Sequence, residues 1–280
     1  MDDAHIYATE KHIFDEVSNI LDMMIAFYKN FGFEYEFRFA TRPEQRAGTD
    51  KMWDKAEKDL AEVLKKKRIK AGDKKGDGAF YGPKIDVHIK DSLGRDWQLA
   101  TVQLDFHQPE AFKLVYIDKD GKEKRPVMIH RAIFGSFERF IGILTEHYQG
   151  AFPLWLCPTQ TVIIPIADRH IEFASSIVRT IELQGIRVGL DDRKETVSSK
   201  IRDATLQKVP YMGIIGDREV KSSSIRQAQD DPESIEGSKL KVQSYDDSLI
   251  SVRTREGKDL GQMNLSVFLQ KLKEEIDKKI

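Results

Sequence analysis

Between Phe33 and Phe39 the chain alternates Phe33, Tyr35, Phe37 and Phe39 with Glu34, Glu36 and Arg38. A helix would scatter these rings around its axis. An extended strand puts the rings on one side and the charges on the other. The chain must therefore build a sheet and cover its aromatic side. The stripe reads as a core face, since rings that stack on bases sit beside basic grooves. Cover lies on both flanks. Residues 10–31 read as a helix, with Thr9 as cap, Ile13, Val17, Ile20, Leu21, Met24 and Phe27 at helical spacing, and Asn30-Phe31-Gly32 as the stop. A second helix runs from a cap at Asp50 to about Lys67, turning Met52, Trp53, Ala56, Leu60 and Leu64 inward. Its end, Lys65-Lys66-Lys67-Arg68, suits the helix dipole and reads as a solvated terminus rather than a nucleic-acid patch.

Residues 70–78 are rich in Gly and Lys and predict a mobile loop. Two strands follow. Ile85, Val87 and Ile89 alternate with Asp86, His88 and Lys90; then Trp97, Leu99, Thr101, Gln103 and Asp105 alternate with Gln98, Ala100, Val102 and Leu104. Polar groups on both faces of the second strand predict that this part of the sheet lines a site. Short strands at Val115–Ile117 and Arg125–Ile129 flank the turn Asp118–Gly121, and a helix is expected from Ala132 to Tyr148. Gly135 and Gly142 inside that helix, each destabilising by about 1 kcal/mol against Ala, imply close approach of something to its surface. Arg139, amid apolar neighbours, is expected to be buried. It then either pairs with Glu138 or Glu146 or meets an anion. His130 reads as a satisfied core residue or a site residue.

After Gly150-Ala151-Phe152-Pro153 and Cys157-Pro158 the texture changes. Strands near 162–166, 186–190, 212–215 and 249–252 alternate with helices near 169–183, 196–208 and 264–279, an order that predicts parallel pairing. A length of 280 residues suits two domains, 1–150 and 158–280. The Ser-, Asp- and Gln-rich stretch 221–247 is expected to be a solvent loop or insertion. Forty-five Lys and Arg face 46 Asp and Glu, so charge alone predicts no tight polyanion binding, though a local basic patch stays open. Cys157 is the single cysteine, which excludes an intrachain disulfide or a Cys-rich zinc site and fits a reducing compartment. No run of 18 apolar residues suggests a membrane span, and Met1–Glu10 does not read as a signal peptide. That polar start is either ordinary or the middle of a domain.

Four segments resemble class II threonyl-tRNA synthetases: Asp2-Asp3-Ala4-His5, Gly78-Ala79-Phe80-Tyr81-Gly82-Pro83-Lys84, Thr101-Val102-Gln103-Leu104-Asp105-Phe106, and His130 through Gly142, which is similar to the family's motif 3. Order and spacing agree over nearly the whole chain. The resemblance implies a partial α+β antiparallel-sheet class II synthetase core followed by a small α/β anticodon-binding domain. It implies a threonine–tRNA ligase that uses ATP with Mg2+ to form threonyl-adenylate and then charges tRNA(Thr), in the cytoplasm and without a membrane. It also implies a Zn2+ ion, with His5 and His130 matching the two His ligands; Cys157, lying after motif 3, does not match the family's third ligand, a Cys. Asp3 matches the partner of the threonine ammonium, and Tyr81 and Gln103 match pocket residues. Lys84 and Arg139 match catalytic positions near phosphate, and Gln98, Ser136 and Arg139 match the ATP site. In the second domain the resemblance covers Arg202, Pro210-Tyr211-Met212, Gly216-Asp217 and Val252–Gly261, with Arg253 and Arg255 as anticodon contacts; a charged hairpin is the alternative.

The family carries motif 1, the motif 2 arginine and the Cys ligand ahead of the position of Asp2. The expectation is that this chain alone is at most very weakly active, as a truncated product, a fragment of a longer enzyme, or one half of a split enzyme whose partner is a separate N-terminal half; a homodimer partner is the family habit. The alternative is a non-catalytic tRNA-binding or regulatory protein. Residues 70–75 depart from the family's more apolar strand, and 221–247 reads as inserted.

Overall fold

The polar start of the chain is a strand. In the computed structural model, which describes residues 1–222 and 248–279, chain order in the first unit (Met1–His147) is β1 (Ala4–Ala8), α1 (Ile13–Asn30), β2 (Tyr35–Ala40), α2 (Asp50–Lys66), β3 (Ala71–Lys74), β4 (Lys84–Lys90), β5 (Asp96–Asp105), α3 (His107–Ala111), the hairpin β6 (Tyr116–Ile117) and β7 (Glu123–Lys124), β8 (Val127–Ala132) and α4 (Phe137–His147). The stretch expected as a loop over 221–247 lies outside the described residues from 223 onward. Six strands form one sheet in the order β1-β8-β5-β4-β2-β3, antiparallel except for β2 beside β3.

The aromatic stripe explains the layering. Tyr35, Phe37 and Phe39 lie opposite Ile89, Val87 and Ile85. Ala100, Val102 and Leu104 of β5 extend this apolar face, and α1 and α2 cover it with Val17, Leu21, Met24, Trp53, Leu60 and Val63, all buried. Each buried aliphatic or aromatic side chain contributes about 1.5–3 kcal/mol. This face therefore holds the sheet together, and the other face is free to be polar. Phe27, Phe31, Phe33, Phe134 and Phe140 join α4 to α1 through tilted and edge-on ring contacts.

Several expectations are corrected. Residues 71–74 form a strand, because their backbone pairs with Phe37–Ala40 although their side chains carry no apolar signal. The cap of α2 is Thr49, whose Oγ1 accepts the Met52 N–H at 3.4 Å; Asp50 is the first helical residue. Thr9 caps no helix by its side chain and meets His12 Nδ1 at 3.2 Å. The helix expected from Ala132 starts at Phe137, because β8 runs to Ala132 and Gly135 turns the chain at φ +69°. A Cβ on Gly135 would stand 2.6 Å from the Leu99 carbonyl, whereas one on Gly142 would meet nothing within 4 Å. Only the first glycine answers to a close approach.

His88, buried on the polar face of β4, lies between Asp96 (Nδ1 to Oδ2, 2.8 Å) and Lys74 (Nε2 to Nζ, 3.3 Å). A neutral ring satisfies both, donating to the carboxylate and accepting from the ammonium; a protonated ring would oppose Lys74. Burial, with Arg38 and Lys74 nearby, holds this histidine below its ordinary range against the pull of Asp96. The unfolded chain then binds the extra proton first, so the His88 contribution is complete above about pH 6.5 and is lost as pH falls through the lower folded value. Thermal melts from pH 7.5 to 5 should show a falling midpoint with a shallower slope in His88→Gln. Equal slopes would refute the assignment.

The second unit (Tyr148–Ile280) holds β9 (Thr161–Pro165), α5 (Ile171–Leu183), β10 (Val188–Leu190), α6 (Val197–Leu206), β11 (Tyr211–Ile215), β12 (Leu249–Thr254), β13 (Asp259–Asn264) and α7 (Leu265–Lys278). The sheet order is β10-β9-β11-β12-β13, with the first three strands parallel and the last two antiparallel. The parallel pairing expected from sequence holds for β10, β9 and β11 and is corrected for β12 and β13, which form the charged hairpin given as the alternative for Val252–Gly261. α5 and α7 bury Ile177, Ile181, Phe268 and Leu272 against one face, and α6 packs Ala204 against Ile164 and Met212 on the other. Among the described residues no helix is long and apolar enough to cross a membrane.

Candidate active site

Register assembles the site. His5 on β1 lies opposite His130 on β8, His130 opposite Gln103 on β5, and Gln103 opposite Lys84 on β4. Directly opposed residues of antiparallel strands share a face. Four strands therefore bring four side chains, separated by up to 125 residues of chain, into one transverse row on the polar face. The His5 and His130 rings meet edge-on at 4.7 Å between centroids. Tyr81, from the loop before β4, lies 4.9 Å from the His130 ring and donates its hydroxyl to Gln103 Oε1. Burial and the carboxylates Asp105 and Asp3 push the Tyr81 hydroxyl up to about 12, so it remains a donor at neutral pH. Gln103 Nε2 in turn donates to Thr101 Oγ1 at 3.2 Å.

Strict alternation predicts that Gln98 faces away from Gln103. The registers differ. Gln98 and Thr101 of β5 oppose His88 and Asp86 of β4, so three steps on one strand match two on the other. The extra residue is a β-bulge, which turns the consecutive Leu99 and Ala100 both inward and returns Gln98 to the face of Thr101. The polar face is thus one face, not both.

Lys84 is 11% exposed, with Nζ 2.7 Å from the fully buried Asp86 and 3.6 Å from Asp77. Arg139 is exposed, contrary to the expectation from its apolar neighbours, because the first turn of α4 leaves Phe137 and Ile141 facing outward too. It pairs with neither Glu138 nor Glu146. Its guanidinium lies 5.3 Å from the Trp97 ring and donates to the Gln98 carbonyl at 3.3 Å. Ser136 Oγ donates to Glu138 at 2.7 Å and accepts the Arg139 N–H at 3.4 Å. Asp2 ties the start of β1 to this end of the site by accepting the N–H groups of Ile133, Phe134 and Gly135 at 2.8–3.1 Å.

Residues 1–148 match the tRNA synthetase class II core domain (G, H, P, S and T), and residues 160–275 match the anticodon binding domain. The chain belongs to the class II tRNA synthetase family. It is 46% identical over 276 residues to a protein named threonine–tRNA ligase from Natranaerobius thermophilus, and 47% identical over 279 residues to one of the same name from Clostridium kluyveri. These alignments cover 99% and 100% of the chain and 40% of each relative, so the chain spans about two fifths of their length. The crystal structure of the RNA binding domain of threonyl-tRNA synthetase from Cryptosporidium parvum Iowa II superposes with a TM-score of 0.82 at 33% identity, covering 98% of this chain and 63% of that one.

In this chain the carboxylate of Asp3 joins His5 and His130, with one donor atom from each lying within 4.8 Å of the others. His5 Nε2 and Asp3 Oδ2 are 3.8 Å apart, and both side chains are 44% exposed. Two imidazoles and a carboxylate, with Asp3 and His5 partly exposed to solvent, fit a Zn2+ ion that keeps positions for further ligands. Sequence reading grouped only the histidines; the third donor became visible when β1 paired with β8. In the second unit Arg253 is 43% exposed and pairs with Asp259 across the hairpin at 3.0 Å. Arg255 is committed to the chain itself, donating to the carbonyls of Phe152 at 2.7 Å and Lys208 at 3.5 Å. A cleft of about 420 Å3 in the second unit was not foreseen: Asp168, Arg193, Lys194 and Thr196 line it, with the buried Lys200 at its wall. Asp86 and Asp105, which meet Lys84 and His130, were likewise missed as neighbours of the site.

Proposed function

We propose that the chain carries the threonine- and ATP-binding face and the tRNA-reading part of a threonine–tRNA ligase. The observation that carries this reading is the transverse row His5–His130–Gln103–Lys84 on the face opposite the helical cover. Residues 1–150 serve as part of the catalytic domain and 158–280 as the anticodon-binding domain. His5 and His130 hold Zn2+, which supplies a Lewis acid able to take the amino and hydroxyl groups of threonine. Asp3, with two carboxylate oxygens, serves both as the third donor beside the histidines and as the acceptor for the substrate ammonium, and Tyr81 and Gln103 wall the pocket with a donor and an amide. Such a site rejects valine, which lacks the hydroxyl and would leave polar groups unpaired. Lys84, its ammonium fixed by Asp86, offers positive charge where the α-phosphate of ATP gains negative charge in the transition state. Arg139, Ser136 and Gln98 border the ATP site, and the planar guanidinium of Arg139 provides a cation for the adenine end. ATP enters with Mg2+, tRNA(Thr) is the acceptor, Arg253 is the more available anticodon contact, and the compartment is the cytoplasm.

The test is threonine-dependent ATP–pyrophosphate exchange in a chimera in which these 280 residues replace the matching segment of the Natranaerobius thermophilus relative. Exchange should persist with threonine and fall at least 100-fold in His130→Ala. A folded chimera that binds tRNA but gives no exchange would instead favour the non-catalytic tRNA-binding reading.

A further inference from the structure

Asp105 closes β5 on the polar face, fully buried, two residues beyond Gln103. Its Oδ1 accepts the backbone N–H groups of His107 at 2.8 Å and Gln108 at 2.9 Å, and its Oδ2 lies 3.0 Å from His130 Nε2. Both oxygens are therefore used, one toward α3 and one toward the imidazole. A carboxylate only accepts hydrogen bonds, so the His130 nitrogen facing it must carry the hydrogen. In a neutral imidazole the other nitrogen, Nδ1, then keeps its lone pair.

We propose that Asp105 is a positioning residue that fixes His130 in the Nε2–H tautomer and so presents Nδ1 as a metal ligand. The proposal rests on the reading of His5 and His130 as a metal site. The other nitrogen of a metal-binding histidine is generally held by a carboxylate or carbonyl, and loss of such a partner weakens binding 10- to 100-fold. Here the geometry also says what the smallest substitution does. In Asp105→Asn the amide oxygen is needed to accept the two N–H groups that start α3. That leaves the amide NH2 facing His130, a donor where an acceptor stood. His130 must then accept at Nε2 and carry its hydrogen on Nδ1, which removes the ligand lone pair while size and the turn into α3 are kept. The same inversion of histidine tautomer by an Asp to Asn change is known in catalytic triads.

The experiment uses the full chain labelled with 15N-histidine. Long-range 1H–15N spectra at about pH 8.5, above the ordinary histidine range, report the tautomer, with His130 assigned by the loss of its signals in His130→Gln. Zinc affinity is measured by competition with a chromophoric chelator. The wild type should show hydrogen on Nε2, and Asp105→Asn should show it on Nδ1 with zinc bound 10- to 100-fold more weakly. Hydrogen on Nδ1 in the wild type overturns the proposal without any need for the variant to fold. An unchanged tautomer and affinity in folded Asp105→Asn overturns it as well. A wild type with no saturable zinc site defeats the metal reading instead, and the tautomer spectra still decide the role of Asp105.

Discussion

Gly82→Ala should destabilise the first unit by about 3 kcal/mol, the upper end for overpacking, and reduce threonine activation in the chimera at least 100-fold. A Cβ on Gly82 would stand 2.0 Å from the Leu104 carbonyl oxygen and 3.0 Å from its carbon. These are backbone atoms of a central strand and have no rotamer to change. The loop is held there on both sides, by Gly82 N–H to Ala79 O at 3.2 Å and Leu104 N–H to Pro83 O at 3.1 Å. To make room, the loop must retreat by more than 1 Å, and it carries Tyr81 and leads through Pro83 into Lys84. A displacement of that size at a reacting centre lowers rate by about 100-fold. Gly142→Ala is the control. It lies in α4 with open space around its Cβ position, and should be neutral or stabilising by about 0.5–1 kcal/mol. Calorimetry of the two variants settles the matter, since similar midpoints would mean that the backbone contact at Leu104 does not constrain the loop.

Asp86→Ala is expected to cost about 3 kcal/mol, or roughly 6–12 °C in Tm for a unit of this size. Asp86 is fully buried and Lys84 nearly so; removing the carboxylate leaves an ammonium whose remaining partner, Asp77, is 3.6 Å away and 53% exposed. Breaking a buried pair by deleting one partner destabilises by about 3–5 kcal/mol, and Asp77 keeps the loss at the lower end. Burial raises the Asp77 carboxyl, but Lys84 and Lys74 outweigh it and hold the group below its ordinary range, so it remains an anion near neutrality. Asp86 Oδ1 has no hydrogen-bond partner among the described residues, a further penalty the fold tolerates. The double variant Asp86→Ala with Lys84→Met separates stability from function. Removing both charges should restore most of the lost Tm and leave activation abolished. Recovery of activation in the double variant would show that the Lys84 charge is not needed at the phosphate.

The parts of this architecture legible in the sequence are those whose side chains report their own environment. The aromatic stripe of β2 and the apolar spacing of α1 and α2 gave away the buried face. β1 was hidden because an edge strand with one polar side shows His5 and Tyr7 to solvent and carries little apolar signal. β3 was hidden because Ala71-Gly72-Asp73-Lys74 is held by its backbone alone. The bulge in β5 was invisible for a related reason. It shifts the phase of alternation without changing any residue type, and only the paired register reveals that Gln98 and Gln103 look the same way. Arg139 misled through Phe137 and Ile141, which read as core but are 43% and 58% exposed. Within the site, motif resemblance supplied His5, His130, Tyr81 and Lys84, whereas the supporting carboxylates Asp86 and Asp105 needed coordinates. Their role depends on which atoms they face.

The pairing of β1 with β8 also sets a timetable. His5 and His130 are partners across 125 residues of chain, so the row that holds the site is among the most non-local contacts of the first unit. Such contacts form only after a long loop has been closed, and they slow folding. A ribosome adding about 5–20 residues per second delivers β8 roughly 6–25 s after β1. For that interval the segment bearing Asp3 and His5 has no strand beside it, and helix-covered parts of the sheet can condense first. Refolding followed by intrinsic fluorescence and by zinc uptake should therefore diverge in time, with the ability to hold the ion arriving in the slower phase.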